Sequence, residues 1–257
     1  MNDNSLKIIG IIPARMVSKR FPDKSMEDIN GMPMIGHVYN RMKLCKDFSQ
    51  VYVASADKPI LDYFKQVDGN TIEIAESHVG AIDRVAEAVK KIEEVEQVRY
   101  DMVVLVQCDE PMISSDNIGC LLSPMIMDEN LQIAALMSQI ETEDDFQNSN
   151  KIKVVADINN FAMYFSRQAI PYGKAFPRLK LCGIDVFRRD FIDEFNNMFP
   201  SSLEIAESID LIRVIENSIR VKMVMADKEI FSVDTRQDLE KVRILMKDDY
   251  LAKKYVK

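Results

Sequence analysis

A chain of 257 residues, 47% apolar and 29% charged, is long enough for a full core and ordinary in composition for a soluble globular protein. Its formal net charge of -8 argues against general binding to nucleic acid or anionic membrane, and no apolar run approaches the ~20 residues that span a bilayer. The four cysteines lack CxxC or Cys/His metal spacing and the polar N-terminus does not read as a signal peptide, so reduced thiols in a cytoplasmic protein are expected.

In chain order, Leu6 to Ile12 predicts a buried strand. Pro33 to Cys45 predicts a helix, with Met34, Ile35, Val38, Met42 and Cys45 at helical spacing. Val51 to Ala54 predicts a strand, Pro59 to Val67 a helix and Thr71 to Ala75 a short strand. Asp83 could N-cap a helix whose apolar face is Val85, Val89, Ile92 and Val95. Met102 to Val106 is another buried strand. This strand–helix rhythm predicts a mostly parallel sheet covered on both faces, with ligands beyond the carboxyl ends of the strands. The middle differs. Leu131 to Met137, Lys151 to Ala156, Ala162 to Phe165 and Leu181 to Phe187 read as strands with little helical pattern between them, so hairpin pairing is expected. Ser201-Ser202-Leu203-Glu204 is a capping box opening a helix through Asn217. Val221 to Val224 and Ile230 to Val233 predict strands, and Arg236 to Met246 a helix. A single domain, 1–257, with a β-rich part at roughly 150–190 is the economical organisation.

Two strand ends carry chemistry. From Lys7 in the first strand to Lys24 beyond it lie five cations (Lys7, Arg15, Lys19, Arg20, Lys24) and one anion (Asp23), with no glycine from Ile11 to Asn30. A Gly-rich phosphate cradle is therefore absent, and side-chain charge would have to bind phosphate. After Val106, Gln107-Cys108-Asp109-Glu110-Pro111 supplies a carboxylate suited to Mg²⁺, which takes one or two carboxylates plus substrate phosphates. Asp234, after another apolar run, is the candidate second ligand, although it could instead cap the helix at Arg236. With only His37 and His78, and with Ser166 and Ser202 lacking an elbow, a nucleophilic hydrolase is disfavoured.

Together these pieces resemble the 3-deoxy-manno-octulosonate cytidylyltransferase family. The family pattern P-A-R-x-x-S-x-R-x-P-x-K is met by Pro13, Ala14, Arg15, Ser18, Arg20, Pro22 and Lys24. Asn30 to Ile35, His37 to Arg41, Val106 to Pro111, Tyr164 to Arg167 with Ile170 to Tyr172, Pro200 to Glu204, and Val233 to Thr235 continue the match, which runs from Ile8 to Met246. The resemblance implies a Rossmann-like, GT-A-like nucleotidyltransferase fold: an α/β three-layer sandwich with a mostly parallel sheet and a β-rich projection forming a homodimer. It implies activation of a 2-keto-3-deoxy sugar acid with CTP and Mg²⁺, giving a CMP-sugar for bacterial surface glycan such as lipopolysaccharide or capsule. Carried over by position, Arg15, Lys24 and Asp109 would be catalytic. Ala14, Arg15, Ser18, Arg20, Lys24, Gln107 and Cys108 would bind nucleotide. Arg84, Gln107, Cys182, Asp185 and Asp210 would face the sugar, and Asp109 and Asp234 would bind the metal.

The departures from the family pattern cluster on the sugar side. The family's S-G-T-D-R is Gly80-Ala81-Ile82-Asp83-Arg84, losing a hydroxyl, and Q-G-D has Cys108 in place of Gly. In H-I-G-I-Y-x-Y-R a His is lost before Gly183, where Cys182 stands, and a Tyr becomes Asp185; E-Q-L-R becomes Asp210-Leu211-Ile212-Arg213. Each lost hydrogen-bond partner in a polar site costs about 1–3 kcal/mol, so the expected acceptor is a modified relative of the octulosonate: an amino-substituted octulosonate pairing with Asp185, a sialic-acid-type nonulosonate, or another acid. Competing readings are a nucleotidyltransferase acting on a sugar 1-phosphate, disfavoured by the missing G-x-G-T-R-x-x-P loop, and a non-enzymatic paralogue, disfavoured by retention of Arg15, Lys24, Asp109 and Asp234.

Overall fold

The computed structural model describes residues 6–17, 21–78, 80–173 and 177–256. Eleven strands and nine α-helices are found among them: β1 Ile8–Pro13, β2 Asp28–Ile29, β3 Met32–Pro33, α1 Met34–Lys43, β4 Gln50–Ser55, α2 Lys58–Gln66, β5 Thr71–Glu73, α3 Ala81–Glu96, β6 Met102–Val106, α4 Ser115–Met127, β7 Ile133–Gln139, α5 Glu143–Gln147, β8 Lys153–Ala156, β9 Ala162–Ser166, β10 Leu179–Arg188, α6 Arg189–Asn196, α7 Ser202–Glu207, α8 Asp210–Glu216, β11 Lys222–Met225 and α9 Arg236–Leu245. The main sheet has the order β11-β7-β10-β6-β1-β4-β5, with β8 and β9 branching from β10. Along that path β10 is antiparallel to both neighbours while the other pairs are parallel. The mostly parallel three-layer sandwich is therefore present, and the β8–β9 hairpin supplies the β-rich branch.

Side-chain alternation explains the layers. In β1 and β6, Ile9, Ile11, Val103 and Leu105 pack with Val85, Val89 and Ile92 of α3, Phe191 and Phe195 of α6, and Ile212 of α8. Ile8, Ile12, Val104 and Val106 face the other way, onto Ile35, Val38 and Met42 of α1, Ile60 and Phe64 of α2, and Leu121 and Met125 of α4. Both faces are thus buried, which is why these strands read as unbroken apolar runs. Asn30 and Gly31 both have positive φ between β2 and β3, as a tight hairpin requires. A smaller cluster, Phe21, Ile29, Met34, Val233, Leu239, Val242 and Met246, clamps α9 against the segment that follows β1.

Several expectations change. Gly80, not Asp83, is the N-cap of α3, and Asp83 lies in its first turn. Val95 is 77% exposed, because at about 3.6 residues per turn it falls beside the stripe of Val85, Val89 and Ile92. The capping box at Ser201 and Glu204 forms, but the helix ends at Ser208, which adopts φ 54, and α8 starts afresh at Asp210. Residues 230–233 are not a strand, and Val233 N–H donates to Asp109 O at 2.9 Å. Helices α4 and α5 had no sequence counterpart. The former carries Pro124 within it, which weakens a helical reading.

Candidate active site

The segment after β1 is pinned from below. Ala14 N–H donates to Ala54 O at 2.9 Å, Met16 N–H to Asp57 Oδ2 at 2.8 Å, and Asp23 N–H to Met16 O at 3.0 Å. Ala14 is buried in the core under the loop, while Arg15 is exposed at the rim of a cleft. Ser18 and Arg20, expected to shape this loop, lie outside the described residues.

Lys24 opens a short 3-10 turn and sends its ammonium across the cleft. It donates to Asp109 Oδ2 and to Val233 O at 3.2 Å, and lies 4.0 Å from Asp234 Oδ1. Burial alone would lower the Lys24 pKa, but the charges of Asp109 and Asp234 outweigh it and hold the ammonium well above its ordinary value. Thr235, in a capping box with Asp238, caps α9, so Asp234 is not spent on the cap and stays at the cleft.

Asp109 is held by its neighbours. Glu110, 2% exposed, accepts from Gly183 N–H at 3.0 Å and from Ser232 Oγ–H at 2.7 Å. One carboxylate therefore ties the β6 turn to β10 and to the segment leading into Asp234. Burial and the adjacent Asp109 charge push its pKa up to about 7. Glu110 is a site residue with no predicted role; its place beside Asp109 in Gln107 to Pro111 is the signal that marks it. The close approach is steric too: a Cβ on Gly183 would stand 2.9 Å from Glu110 Oε1 and 3.0 Å from Gln107 Cβ.

The far wall comes from β10, α3 and α8. The register of β10 against β7 shifts between Leu181 and Asp185, and Asp185 sits opposite Leu105 of β6, on the α3/α8 side of the sheet. Asp210, at the start of α8, accepts from Ala81 N–H at 2.7 Å and Ile82 N–H at 3.1 Å, filling the role of a cap for α3. Gly80 is what admits it, since a Cβ there would stand 2.8 Å from Asp210 Oδ2. Arg84 is 8% exposed, donates to His78 O at 3.1 Å and lines the same cleft; burial and the nearby Arg15 charge lower its pKa. Arg213 joins the layers behind, making two bonds to Glu204 (2.7 and 2.5 Å) and one to Asp83 (3.2 Å).

The cleft thus gathers Arg15, Lys24, Arg84, Gln107, Cys108, Asp109, Cys182, Asp185, Asp210 and Asp234. A larger cavity of about 580 Å³ adjoins it, sharing Asn150, Leu181, Ser232 and Asp234. Counted back from Gly183, the family's His falls at Leu181 rather than at Cys182. Cys182 itself is a buried thiol whose Sγ lies 3.5 Å from Ser138 Oγ, and burial pushes its pKa up to about 12, as it does for Cys108. His37 is structural, bonded to Ile29 O at 2.8 Å and Tyr255 Oη at 3.0 Å, and His78 pairs with Glu87 away from the cleft.

The cytidylyltransferase family model matches residues 9–236. The 3-deoxy-manno-octulosonate cytidylyltransferase of Geotalea daltonii is 37% identical over 257 aligned residues, covering 95% of this chain and 99% of that protein. The chain belongs to this family. The Parabacteroides distasonis member is 38% identical, over 92% of this chain and 96% of its own length. A solved CMP:2-keto-3-deoxy-manno-octonic acid synthetase complexed with CTP superposes with TM-score 0.82 at 33% identity, covering 94% of this chain and 98% of that one. At 10% identity, a putative glucose-1-phosphate thymidylyltransferase from Bacillus anthracis shares the fold, with TM-score 0.64.

Proposed function

We propose that this chain transfers the cytidylyl group of CTP to the anomeric hydroxyl of a 2-keto-3-deoxy sugar acid of the octulosonate class. The observation that carries the reading is the meeting of Lys24, Asp109 and Asp234 in one cleft with Arg15, in a chain whose full-length relatives are named for this transfer. The anomeric oxygen attacks the α-phosphorus, the bond from that phosphorus to the β-bridging oxygen breaks, pyrophosphate leaves, and the hydroxyl proton passes to solvent. Arg15 and Lys24 take the phosphate oxygens, Lys24 turning from Asp109 toward the triphosphate. Gln107 and Cys108 flank the nucleotide; Arg84 meets the acid.

Asp109 and Asp234 would hold a divalent cation, with Mg²⁺ the expected ion. Two hard carboxylates fit this role, and among the described residues no group of three or more ligating side chains competes for it. When bound, the ion supplies charge neutralisation on the reacting phosphoryl group. The β-rich part would pair two copies: Ile158, Met163 and Tyr172 are exposed apolar side chains on and after the β8–β9 hairpin. Among the described residues no helix is long and apolar enough to cross a membrane. A cytoplasmic site, where CTP is made, and a role in bacterial surface glycan synthesis follow from the reaction. Incubation with CTP, Mg²⁺ and 3-deoxy-manno-octulosonate or related acids, followed by mass detection, is expected to yield a CMP-sugar and one pyrophosphate. Pyrophosphate release only with sugar 1-phosphates would overturn the reading.

A further inference from the structure

Asp185 is 7% exposed, and its Oδ1 is buried without a hydrogen-bond partner among the described residues. It lines the same cleft as Asp109, at the strand position facing the start of α8. The charged group that acts on it is another acid, Asp210, and burial together with that charge raises its pKa well above the ordinary carboxyl value. Asp210 uses Oδ2 to cap α3, so it does not answer the orphaned oxygen. A buried carboxyl left in this state is costly unless a ligand completes it.

Two kinds of donor could do so. A sugar hydroxyl donates one hydrogen bond and brings no charge to Asp185, whereas Asp210 already has the Arg84 guanidinium nearby. An ammonium group carries three donors and the charge itself. The acid group of such an acceptor has cationic partners at the same cleft, in Arg15 and Arg84. We propose that Asp185, with Asp210 beside it, forms a cation-reading wall in the acceptor half of the cleft, so that the preferred acceptor is a 2-keto-3-deoxy sugar acid bearing an amino group in place of a hydroxyl. This rests on the cytidylyltransferase reading and narrows its acceptor.

The test compares kcat/KM, by CTP-dependent pyrophosphate release, for 3-deoxy-manno-octulosonate and for its analogues with one hydroxyl replaced by an amine. The wild-type enzyme is expected to favour one amino analogue by tenfold to a hundredfold, the range of one charge-assisted hydrogen bond. Asp185→Asn is expected to bring that ratio close to one. An equal or higher kcat/KM for the hydroxyl compound, or an amino preference that survives Asp185→Asn, overturns the proposal while leaving cytidylyl transfer standing. No release with any of these acids overturns the function itself. Should Asp185→Asn not fold, the wild-type ratio decides alone.

Discussion

At the end of the cleft built by β1 and β6, one ammonium, Lys24, reaches both Asp109 and Asp234. At the end built by β10 and α8, Asp185 lies beside another acid, Asp210, and its Oδ1 has no hydrogen-bond partner among the described residues. The first end is prepared for an anion with its cation, since the lysine can move to phosphate and release two carboxylates for a metal. The second keeps a buried carboxyl oxygen, unpartnered among the described residues, that a donor on a ligand can satisfy. Stability and function are divided accordingly. The paired end is nearly neutral in the free protein, whereas the acidic end carries an unfavourable burial that binding would relieve.

Substitutions at the two ends should behave oppositely, and the largest effect belongs to the paired end. Asp109→Asn is expected to lower CTP turnover by about 1,000-fold, because it removes a carboxylate that would hold the cation beside the reacting phosphate, with fold retained by circular dichroism. Unchanged turnover would remove Asp109 from the metal and phosphate machinery.

Behind both ends, Arg213 joins Glu204 and Asp83 and is buried. Arg213→Met leaves the buried Glu204 carboxylate without its counter-charge, so urea unfolding should show a loss of about 3–5 kcal/mol. A loss below about 1 kcal/mol, the range of a surface pair, would show that this bridge does not hold α3, α7 and α8 together.

The smallest expected effect has the opposite sign. Asp185→Asn should stabilise the protein by about 1–2 kcal/mol at pH 8, because it removes a buried carboxyl whose Oδ1 has no partner among the described residues. The sign follows from protons. The folded-state pKa is raised above 3.8, so the folded protein binds more protons than the unfolded chain between 3.8 and the raised value. The contribution of Asp185 is fully present below 3.8 and is lost as pH rises through the folded value. The gain from Asn should therefore be largest in alkali and shrink as the pH falls toward 3.8, which melting curves across pH would follow.

Much of this fold was legible because burial on both faces writes strands as plain apolar runs; Met102–Val106 appears with the bounds its residues suggest. The helix expected from Ser201 through Asn217 was broken by the left-handed Ser208, which no periodicity signals. Ile230 to Val233 has strand composition, yet Ile230 and Val233 are buried against different clusters, and Val233 bonds to the Asp109 carbonyl rather than to a strand. The triphosphate-side residues were legible because a short motif carries them, while Glu110 and Arg213 act through contacts 73 or more residues away for Glu110 and 130 for Arg213 with Asp83. The capping role of Asp210 was hidden for the same reason, since its partners lie 129 and 128 residues distant.

The central claim is that the cleft directs attack to the α-phosphorus of CTP. CTP labelled with ³²P at the α or the γ position, incubated with enzyme, Mg²⁺ and an accepted sugar acid, tests it most directly. The account predicts α label in the CMP-sugar and γ label in pyrophosphate. Release of γ label as inorganic phosphate, or its transfer to the sugar, would contradict it.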